Sequence, residues 1–426
     1  MIQQLKDDGL WEDTIVFVWA DHGVGMPRGK HNAWEQGTHV PLIVRFPKRF
    51  QHLAPANPGS TIDGLVTLMD LGPSILAMAD LETPGWMDGQ SLLCAKGDGE
   101  INYHDFLIGM RDRLDSRYEM VRSVRDNRFR YQRNFFSHLP FKPYEDYEFN
   151  APVLKRWVEL ARQGELTGPQ AMLNRQFKPL EELYDSQYDP HMINNVIDDP
   201  RYAEVAEKMR KRLHDWMLET RDLALIEESE TLQRAVSHAS HWDLGQSLEN
   251  YEQILDTADL QIQGKAAILR LLDRIKDPDS AVRFWAVLGL VTLRSDDADV
   301  IAALLDATKD ESVSVSTTAA DGLFNLGRYE EGLPAIIAAL NHPVPAARVR
   351  ASCIFDTQPP SANSALQPAL AALRDAASEN NVKELRGIPY GLNQPFERAM
   401  KAITGEETYY RWGLDVLGQY QNEESP

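Results

Sequence analysis

The sequence predicts an α/β region followed by an all-α region of repeated helices. In the first part of the chain, short apolar runs alternate with amphipathic segments, which is the pattern of α/β folds. From Gln261 onward the sequence becomes rich in alanine and leucine at helical spacing. A set of residues also recurs there at an interval of about 33 positions, which is typical of stacked helix pairs.

The first predicted elements are two strands and a helix. Residues 14–20 (TIVFVWA) form a continuous apolar run, as expected for a strand that is buried on both faces of a parallel sheet. Residues 40–46 (VPLIVRF) predict a second strand, and prolines in the following segment indicate a loop. Residues 68–81 carry apolar side chains at helical spacing, so we expect a helix there.

Further strands and a long helix are predicted next. Residues 106–110 and 120–134 indicate short strands, with an Asp-Asn turn inside the second range. An Asp-Pro pair then opens an amphipathic helix over residues 201–220. Residues 221–251 show no clear period, so we interpret this interval as a linker.

The last part of the chain contains an internal repeat. Asp277, Val282, Ala286, Gly289, Leu290 and Leu293 recur as Asp310, Val315, Ala319, Gly322, Leu323 and Leu326. A weaker third copy places His342, Ala347, Arg348 and Ala351 under Asp277, Val282, Arg283 and Ala286. The pattern resembles HEAT-like repeats, in which each helix pair buries its apolar face by stacking on the next. We therefore expect a repeat domain over residues 261–426 that is separable from the rest of the chain, with a terminal cap over residues 394–413.

Composition excludes several classes of protein. The 426 residues carry a formal charge of −20 and a pI near 5.0, which argues against a nucleic-acid-binding protein that would need a basic face for phosphates. No apolar run approaches the roughly 18 residues that a membrane span needs. The two cysteines, Cys94 and Cys353, cannot build a disulfide framework or a zinc motif.

The stretch over residues 20–47 (ADHGVGMPRGKHNAWEQGTHVPLIVRFP) carries the candidate chemistry. Asp21 and His22 directly follow the first predicted strand, and the carboxyl ends of strands are where open α/β sheets place their binding crevice. A carboxylate there suits a hard divalent cation, and Lys30 could reach an anionic group held at that cation. From these residues alone, a strand-end Asp that caps a helix beside a surface lysine remains the alternative.

The whole stretch is similar to a metal-binding segment of the formylglycine-dependent (type I) sulfatases. That family has a D-H/N-G triplet, a sulfate-contacting Lys or Arg, and a Y/W-E-x-G turn. The matching residues are Asp21, His22 and Gly23, then Lys30, then Trp34, Glu35 and Gly37. The resemblance implies that Asp21 binds a calcium ion and that His22 takes the place of a ligating Asn or His. It also implies that Lys30 is catalytic and contacts the sulfate and its bridging oxygen.

The resemblance extends over about the first 225 residues. Residues 68–92 and the LYD, DP and NN motifs near residues 183–195 match the family, and residues 111–136 look most like its heparan N-sulfatase (sulfamidase) branch. The implied fold is the C-terminal part of an alkaline-phosphatase-like sulfatase with its small antiparallel-sheet subdomain. In that branch four residues would lie near the substrate: Arg111, Asp112, Arg113 and Asp115. The predicted domains are the α/β part (1–105), the C-terminal subdomain (106–225), a linker (226–260) and the HEAT-like repeats (261–426).

One departure from the family concerns the nucleophile. Type I sulfatases carry C/S-x-P-S/A-R, whose Cys or Ser becomes formylglycine, and no segment of this sequence fits that motif. Cys94 is followed by Ala-Lys-Gly, and Cys353 lies in the repeats. The N-terminal residues do not resemble a signal peptide and read as a helix that runs into a strand. We therefore expect the formylglycine in an N-terminal part that this chain lacks, and we expect the chain alone to be inactive.

The resemblance implies hydrolysis of sulfate esters or N-sulfate groups on sulfated polysaccharides or glycosaminoglycans, with calcium as cofactor. It also implies a periplasmic or extracellular location, and we expect the repeats to contact a protein or a polysaccharide. One alternative is a phosphoester hydrolase of the same superfamily, which Lys30 and the W-E-x-G turn disfavour. The other is a non-catalytic HEAT-repeat binding protein with a sulfatase remnant, which the intact Asp21, His22 and Lys30 disfavour.

Overall fold

The structure is a computed structural model that describes residues 1–92, 103–114, 116–142, 145–380 and 394–405. Cys94 and Asp115 lie outside the described residues. The strands are β1 (Val16–Trp19), β2 (Leu42–Arg45), β3 (Leu107–Leu114), β4 (Arg117–Arg125), β5 (Phe129–Asn134) and β6 (Glu181–Asp185). The helices are α1 (Ile2–Asp7), α2 (Glu35–Thr38), α3 (Leu71–Met78), α4 (Asp146–Phe149), α5 (Pro152–Arg162), α6 (Ala203–Thr220), α7 (Glu228–Arg234), α8 (His241–Ser247), α9 (Tyr251–Asp259), α10 (Ile268–Arg274), α11 (Ser280–Leu293), α12 (Ala298–Ala307), α13 (Val313–Asn325), α14 (Tyr329–Leu340), α15 (Pro345–Ile354), α16 (Asn363–Leu366), α17 (Leu370–Asn380) and α18 (Gln394–Thr404).

Strands β1 and β2 pair with each other and flank residues 20–41, which we call the candidate loop. Both strands are confirmed, but they run antiparallel, with Trp19 opposite Leu42. Gly23 N donates to Gly37 O at 2.9 Å, so the loop begins and ends at the same end of β1 and β2 returns in the opposite direction. Val18 and Trp19 are each 50% exposed. The expected parallel sheet covered on both faces is therefore wrong for the part of the chain that the structure describes.

A second sheet contains four strands in the order β3-β4-β5-β6. The predicted turn between β4 and β5 is confirmed, because one Asp126 carboxylate oxygen accepts from the backbone N–H groups of Arg128 and Phe129 at 2.8 and 2.7 Å. An Asp at this position satisfies two backbone donors that the end of a strand would otherwise leave free. The short hairpin brings the arginine-rich stretch of the sequence onto two neighbouring strands.

The described residues fall into two compact units. The first unit comprises Met1–Gly109, Ser123–Tyr131 and Leu183–Met209 within the described ranges. The second unit comprises Met110–Arg122, Gln132–Glu182 and Arg210–Pro426, again within those ranges. The candidate loop belongs to the first unit, and the helical repeats belong to the second.

The repeats in the second unit are confirmed as consecutive helix pairs from α10 to α15. Arg283 donates to the carbonyl oxygens of Asp277 and Pro278 at 3.0 and 2.9 Å. Arg348 makes the same pair of bonds to His342 and Pro343, at 2.7 and 3.2 Å. These equivalent contacts show why arginine and the residue six positions before it recur together in the first and third copies.

The middle helices of the repeats are buried on nearly all sides. In α13 almost every residue is buried, and in α11 and α15 most residues are buried. Trp285 of α11 is fully buried, and its ring packs edge-on against Phe135 and Phe136, which follow β5, at 5.5 and 6.2 Å between ring centroids. Its indole Nε1 donates to Leu225 O at 2.7 Å. The repeats and the end of β5 therefore share one hydrophobic core inside the second unit.

Residues 226–260, for which a linker is predicted, are largely helical in the structure. Helices α7, α8 and α9 occupy this interval, and Tyr251, Ile254 and Leu255 of α9 are buried. The predicted domain boundaries themselves stay a prediction. Among the described helices, none combines the length and the apolar character that crossing a bilayer requires.

Candidate functional site

The candidate loop begins with an exposed carboxylate. The Asp21 side chain is 86% exposed and the His22 side chain 42% exposed, directly after β1. His22 Nδ1 lies 2.8 Å from Gly23 O, and His22 Nε2 lies 3.6 Å from the nearer Asp21 oxygen. The Asp21 carboxylate is thus accessible to a ligand from solvent, while one ring nitrogen of His22 is within hydrogen-bond distance of the carbonyl oxygen of Gly23.

Backbone hydrogen bonds close the loop on itself. Besides the bond from Gly23 N to Gly37 O, Lys30 N donates to Val24 O at 2.8 Å, and Asn32 N donates to Gly29 O at 3.0 Å. These bonds tie the Lys30 backbone to the residues that follow Asp21. Lys30 itself is half-buried. The backbone positions of the candidate metal ligands and of the candidate catalytic lysine are therefore fixed within one closed loop.

The backbone of the loop packs so closely that two positions, Gly23 and Gly37, have no room for a side chain. A Cβ atom on Gly23 would lie 1.8 Å from Gln36 O, and one on Gly37 would lie 2.1 Å from Asn32 O. Both obstacles are backbone atoms, which cannot rotate away as a side chain can. The final glycine of W-E-x-G therefore lets the turn close over the loop.

Replacing Gly37 by alanine is expected to lower the free energy of unfolding of the first unit by about 1–3 kcal/mol or more, because the new methyl group meets backbone oxygen. Gly25→Ala is the matched control, since nothing lies within 4 Å of a Cβ atom there. Urea unfolding of both variants measures the difference. Equal stability of Gly37→Ala and Gly25→Ala would contradict the packing described here.

The turn at Trp34–Gly37 is held by two arginines of the neighbouring hairpin. Arg125 Nε and Nη2 each donate to one Glu35 carboxylate oxygen at 3.1 Å, and Arg130 Nη1 lies 3.4 Å from Oε2. Burial by itself raises the pKa of the Glu35 carboxyl, but the hydrogen bond and charge of Arg125, with the charge of Arg130, hold that pKa below its usual value. Glu35 therefore stays ionised at neutral pH as the anionic centre of this cluster.

A second anchor of the loop involves the segment after β6. Arg28 donates to the carbonyl oxygens of His191 and Met192 at 2.8 and 2.6 Å, and its guanidinium lies 4.8 Å from the ring of Trp34. Gln36 Nε2 donates to the same His191 oxygen at 3.1 Å. Both ends of the loop that contains Lys30 are thus attached to other segments of the first unit.

The predicted substrate-binding residues of β3 lie in the second unit and form ion pairs. Arg111 pairs with Glu119, Asp112 lies 2.7 Å from Arg122 Nη1, and Arg113 Nε donates to Glu228 at 2.8 Å. Burial lowers the pKa of Arg111 to about 10, against the opposing charge of Glu148. Their role in substrate binding stays a prediction, and Asp115 lies outside the described residues.

Asp21 and His22 are the metal-ligand candidates that the structure places side by side. In the described part of the chain, no three His, Cys, Asp or Glu side chains come together as a metal-binding group. Sequence reasoning did not identify Arg28, Arg125 and Arg130 as partners of the loop. The signal that the sequence offers is the density of arginine in β4 and β5, although Arg125 lies 90 positions after Glu35.

Comparisons with known proteins match the two parts of the chain separately. A sulfatase family model matches residues 1–81, and a HEAT repeat model matches residues 260–355. An ulvan-active sulfatase of Formosa agariphila is 32% identical over 235 residues, which cover 55% of this chain and 38% of that relative. The N-sulphoglucosamine sulphohydrolase of Homo sapiens is 30% identical over 232 residues, which cover 52% of this chain and 45% of that relative.

The chain spans less than half the length of both curated relatives. A solved structure of a protein in complex with its substrate D-glucosamine-2-N,6-O-disulfate shows 15% sequence identity and a TM-score of 0.33, covering 51% of this chain and 36% of that one. The chain therefore carries a sulfatase family domain over residues 1–81 and HEAT repeats over residues 260–355, and its homologues are sulfatases that include an N-sulphoglucosamine sulphohydrolase.

Proposed function

We propose that this chain supplies the calcium- and sulfate-binding part of a sulfuric ester hydrolase that acts on sulfated carbohydrates. The observation that carries the proposal is the closed loop after β1, in which backbone bonds join the segment of Asp21 to that of Lys30. A carboxylate and an ammonium group on one loop suit a cation together with the anionic group that it binds. The sulfatase match over the same residues supports this reading of the loop.

Asp21 fits a calcium ion better than His22 does. Calcium prefers oxygen ligands, and the exposed Asp21 carboxylate offers two of them. The ring of His22 offers nitrogen, which suits calcium poorly. Because calcium takes roughly six to eight oxygen ligands, the other ligands come from elsewhere in the complete sulfatase. When bound, calcium supplies Lewis-acid polarisation of the sulfuryl oxygens.

Lys30 contacts the sulfate group and its bridging oxygen in this proposal. Negative charge accumulates on those oxygens as the sulfur–oxygen or sulfur–nitrogen bond breaks, and a positioned ammonium group stabilises it. The closed loop holds the Lys30 backbone in place before the substrate binds. Little conformational entropy is therefore lost when Lys30 is positioned for the reaction. Lys30 is therefore the catalytic residue that this chain contributes.

We propose that the nucleophile is a formylglycine supplied by a segment other than those in this sequence, in which no part fits C/S-x-P-S/A-R. We therefore propose that the isolated chain has no sulfatase turnover and works only within a complete sulfatase. The half-exposed Val18 and the 62% exposed Ile43 support this, because they lie opposite each other on β1 and β2 and form an apolar patch on one face of the strand pair that another segment would bury.

The substrate class follows from the chemistry named in the relatives. One relative is ulvan-active and the other is a sulphohydrolase of N-sulphoglucosamine, so an O-sulfate and an N-sulfate on a carbohydrate are both within the proposed range. Because such polymers occur outside cells, a periplasmic or extracellular location is part of the proposal. The helical repeats are proposed to contact the polysaccharide or a protein.

Asp21→Ala tests the metal-binding half of the proposal. In the complete sulfatase, this substitution is expected to lower the calcium content to background, because it removes the exposed carboxylate from the ligand set. Metal content is measured by mass spectrometry after dialysis, with the exposed Asp63→Ala as control. Full calcium occupancy in Asp21→Ala would remove Asp21 from the site.

A further inference from the structure

We propose that Arg125 and Arg130 are positioning residues, which fix the loop of Asp21 and Lys30 by holding Glu35. The inference rests on the proposed function and adds to it two residues in a different part of the sequence, on the hairpin of β4 and β5. The two arginines touch the turn Trp34–Thr38 and act on the reacting groups through it. Neither is assigned a contact with substrate or calcium.

Arg125 and Arg130 contact the turn through several hydrogen bonds. Arg125 binds both oxygens of Glu35, each at 3.1 Å, in the fork-to-fork geometry that fixes orientation as well as distance. Arg130 donates to the carbonyl oxygen of Ala33, before Glu35, and to Thr38 Oγ1 after it, at 3.1 Å in the latter case. Arg130 therefore holds the turn on both sides of the glutamate that Arg125 orients.

The two arginine side chains are themselves held in place by contacts within the hairpin of β4 and β5. Arg130 is only 4% exposed, and its Nη2 also contacts Ser123 Oγ of the neighbouring strand at 3.1 Å. Arg125 is 20% exposed and donates in addition to Asp126 O at 2.9 Å. Because both guanidinium groups are also held by other atoms of the hairpin, a movement of the turn would break charge-assisted hydrogen bonds in a largely buried place.

The turn passes this constraint on to the reacting groups through short backbone links. Gly37 O accepts from Gly23 N, one residue after His22, and Gly37 N lies in the turn that Glu35 begins. On the other side, the Ala33 carbonyl held by Arg130 is three residues after Lys30. A displacement of the turn by 1 Å would therefore shift both Lys30 and Asp21, and a misplacement of that size costs about 100-fold in rate.

A double-mutant cycle between Arg125 and Lys30 tests the inference in the complete sulfatase, with an aryl sulfate as substrate. Arg125→Gln is expected to lower kcat by about 10- to 100-fold. On the Lys30→Ala background the same substitution is expected to lower kcat by a clearly smaller factor, since one of the two groups that it positions is already gone. Arg125→Lys should recover part of the loss, and the exposed Arg201→Gln should leave the rate unchanged.

The possible outcomes distinguish failure of the positioning role from failure of the proposed function. An unchanged kcat in Arg125→Gln, or an equally large loss on both backgrounds, overturns the positioning role while leaving the proposed function in place. A wild-type rate in Lys30→Ala overturns the proposed function itself. If Arg125→Gln does not fold, Glu35→Gln takes its place in the cycle, because it removes the charge of the turn and keeps the side-chain volume.

Discussion

Removing residues 261–426 is expected to unfold the second unit rather than leave a folded sulfatase-like part. Trp285 of the repeats is fully buried against Phe135 and Phe136, which follow β5, and Arg117 of β4 forms a buried ion pair with Asp356 of the repeats. Deleting one side of these contacts exposes apolar rings and leaves a buried charge without its partner, which typically costs several kcal/mol. We expected the repeats to be separable from the rest of the chain. The contacts within the second unit argue against this expectation.

A single substitution measures the same coupling without a truncation. Trp285→Ala is expected to lower the free energy of unfolding by about 3–5 kcal/mol, because a large side chain leaves a cavity in the shared core. Trp242→Ala is the matched control in the same unit, since its side chain is 67% exposed, and its effect should stay within about 0.5 kcal/mol.

Hydrogen exchange of β4 and β5 completes this test. In Trp285→Ala, protection of the backbone amides in both strands should fall together with that of α11. Unchanged protection of the strands, or a truncated chain that still unfolds cooperatively with the same protection, would show that the repeats are an independent domain.

Lys30→Ala is expected to reduce turnover of an aryl sulfate by the complete sulfatase by about 100- to 1,000-fold, because it removes one positioned cationic donor from the developing charge. The loop should keep its fold, since the closing hydrogen bond of Lys30 comes from its backbone N–H and survives the substitution. Thermal unfolding is expected to be nearly unchanged. The exposed Lys48→Ala removes the same charge elsewhere in the first unit and should have no effect on turnover.

Lys30→Ala at the wild-type rate would contradict the catalytic role. A comparable loss of stability and of rate would point instead to a structural role, because the rate would then follow the folded fraction.

The sequence predicts the individual strands and helices better than it predicts which strands pair with each other. The apolar run of β1 predicts a strand, but it does not show which strand lies beside it, and the antiparallel return of β2 depends on how the loop closes. The repeats can be recognised from the sequence because the residue pattern is present in three copies. Helices α7 and α8, with seven residues each, are too short to show a period, so the sequence predicts a linker where the structure has helices.

The same limit applies to the candidate site. Asp21, His22 and Lys30 belong to one contiguous stretch, which resemblance to a family can identify. The arginines that hold the loop are 90 and 95 positions away from Glu35 in sequence, so no local pattern connects them with it. Likewise, the family resemblance implies a substrate contact for Arg111 and Asp112, which stays a prediction. Their pairing with Glu119 and Arg122 is visible only in the three-dimensional arrangement.

The most direct test of the central claim compares an aryl sulfate with the corresponding aryl phosphate as substrates of the complete sulfatase, with and without Lys30→Ala. We expect faster turnover of the sulfate ester than of the phosphate ester, loss of sulfate turnover in Lys30→Ala, and no turnover by the isolated chain of 426 residues. Preference for the phosphate ester, or sulfate turnover that does not depend on Lys30, would contradict this expectation.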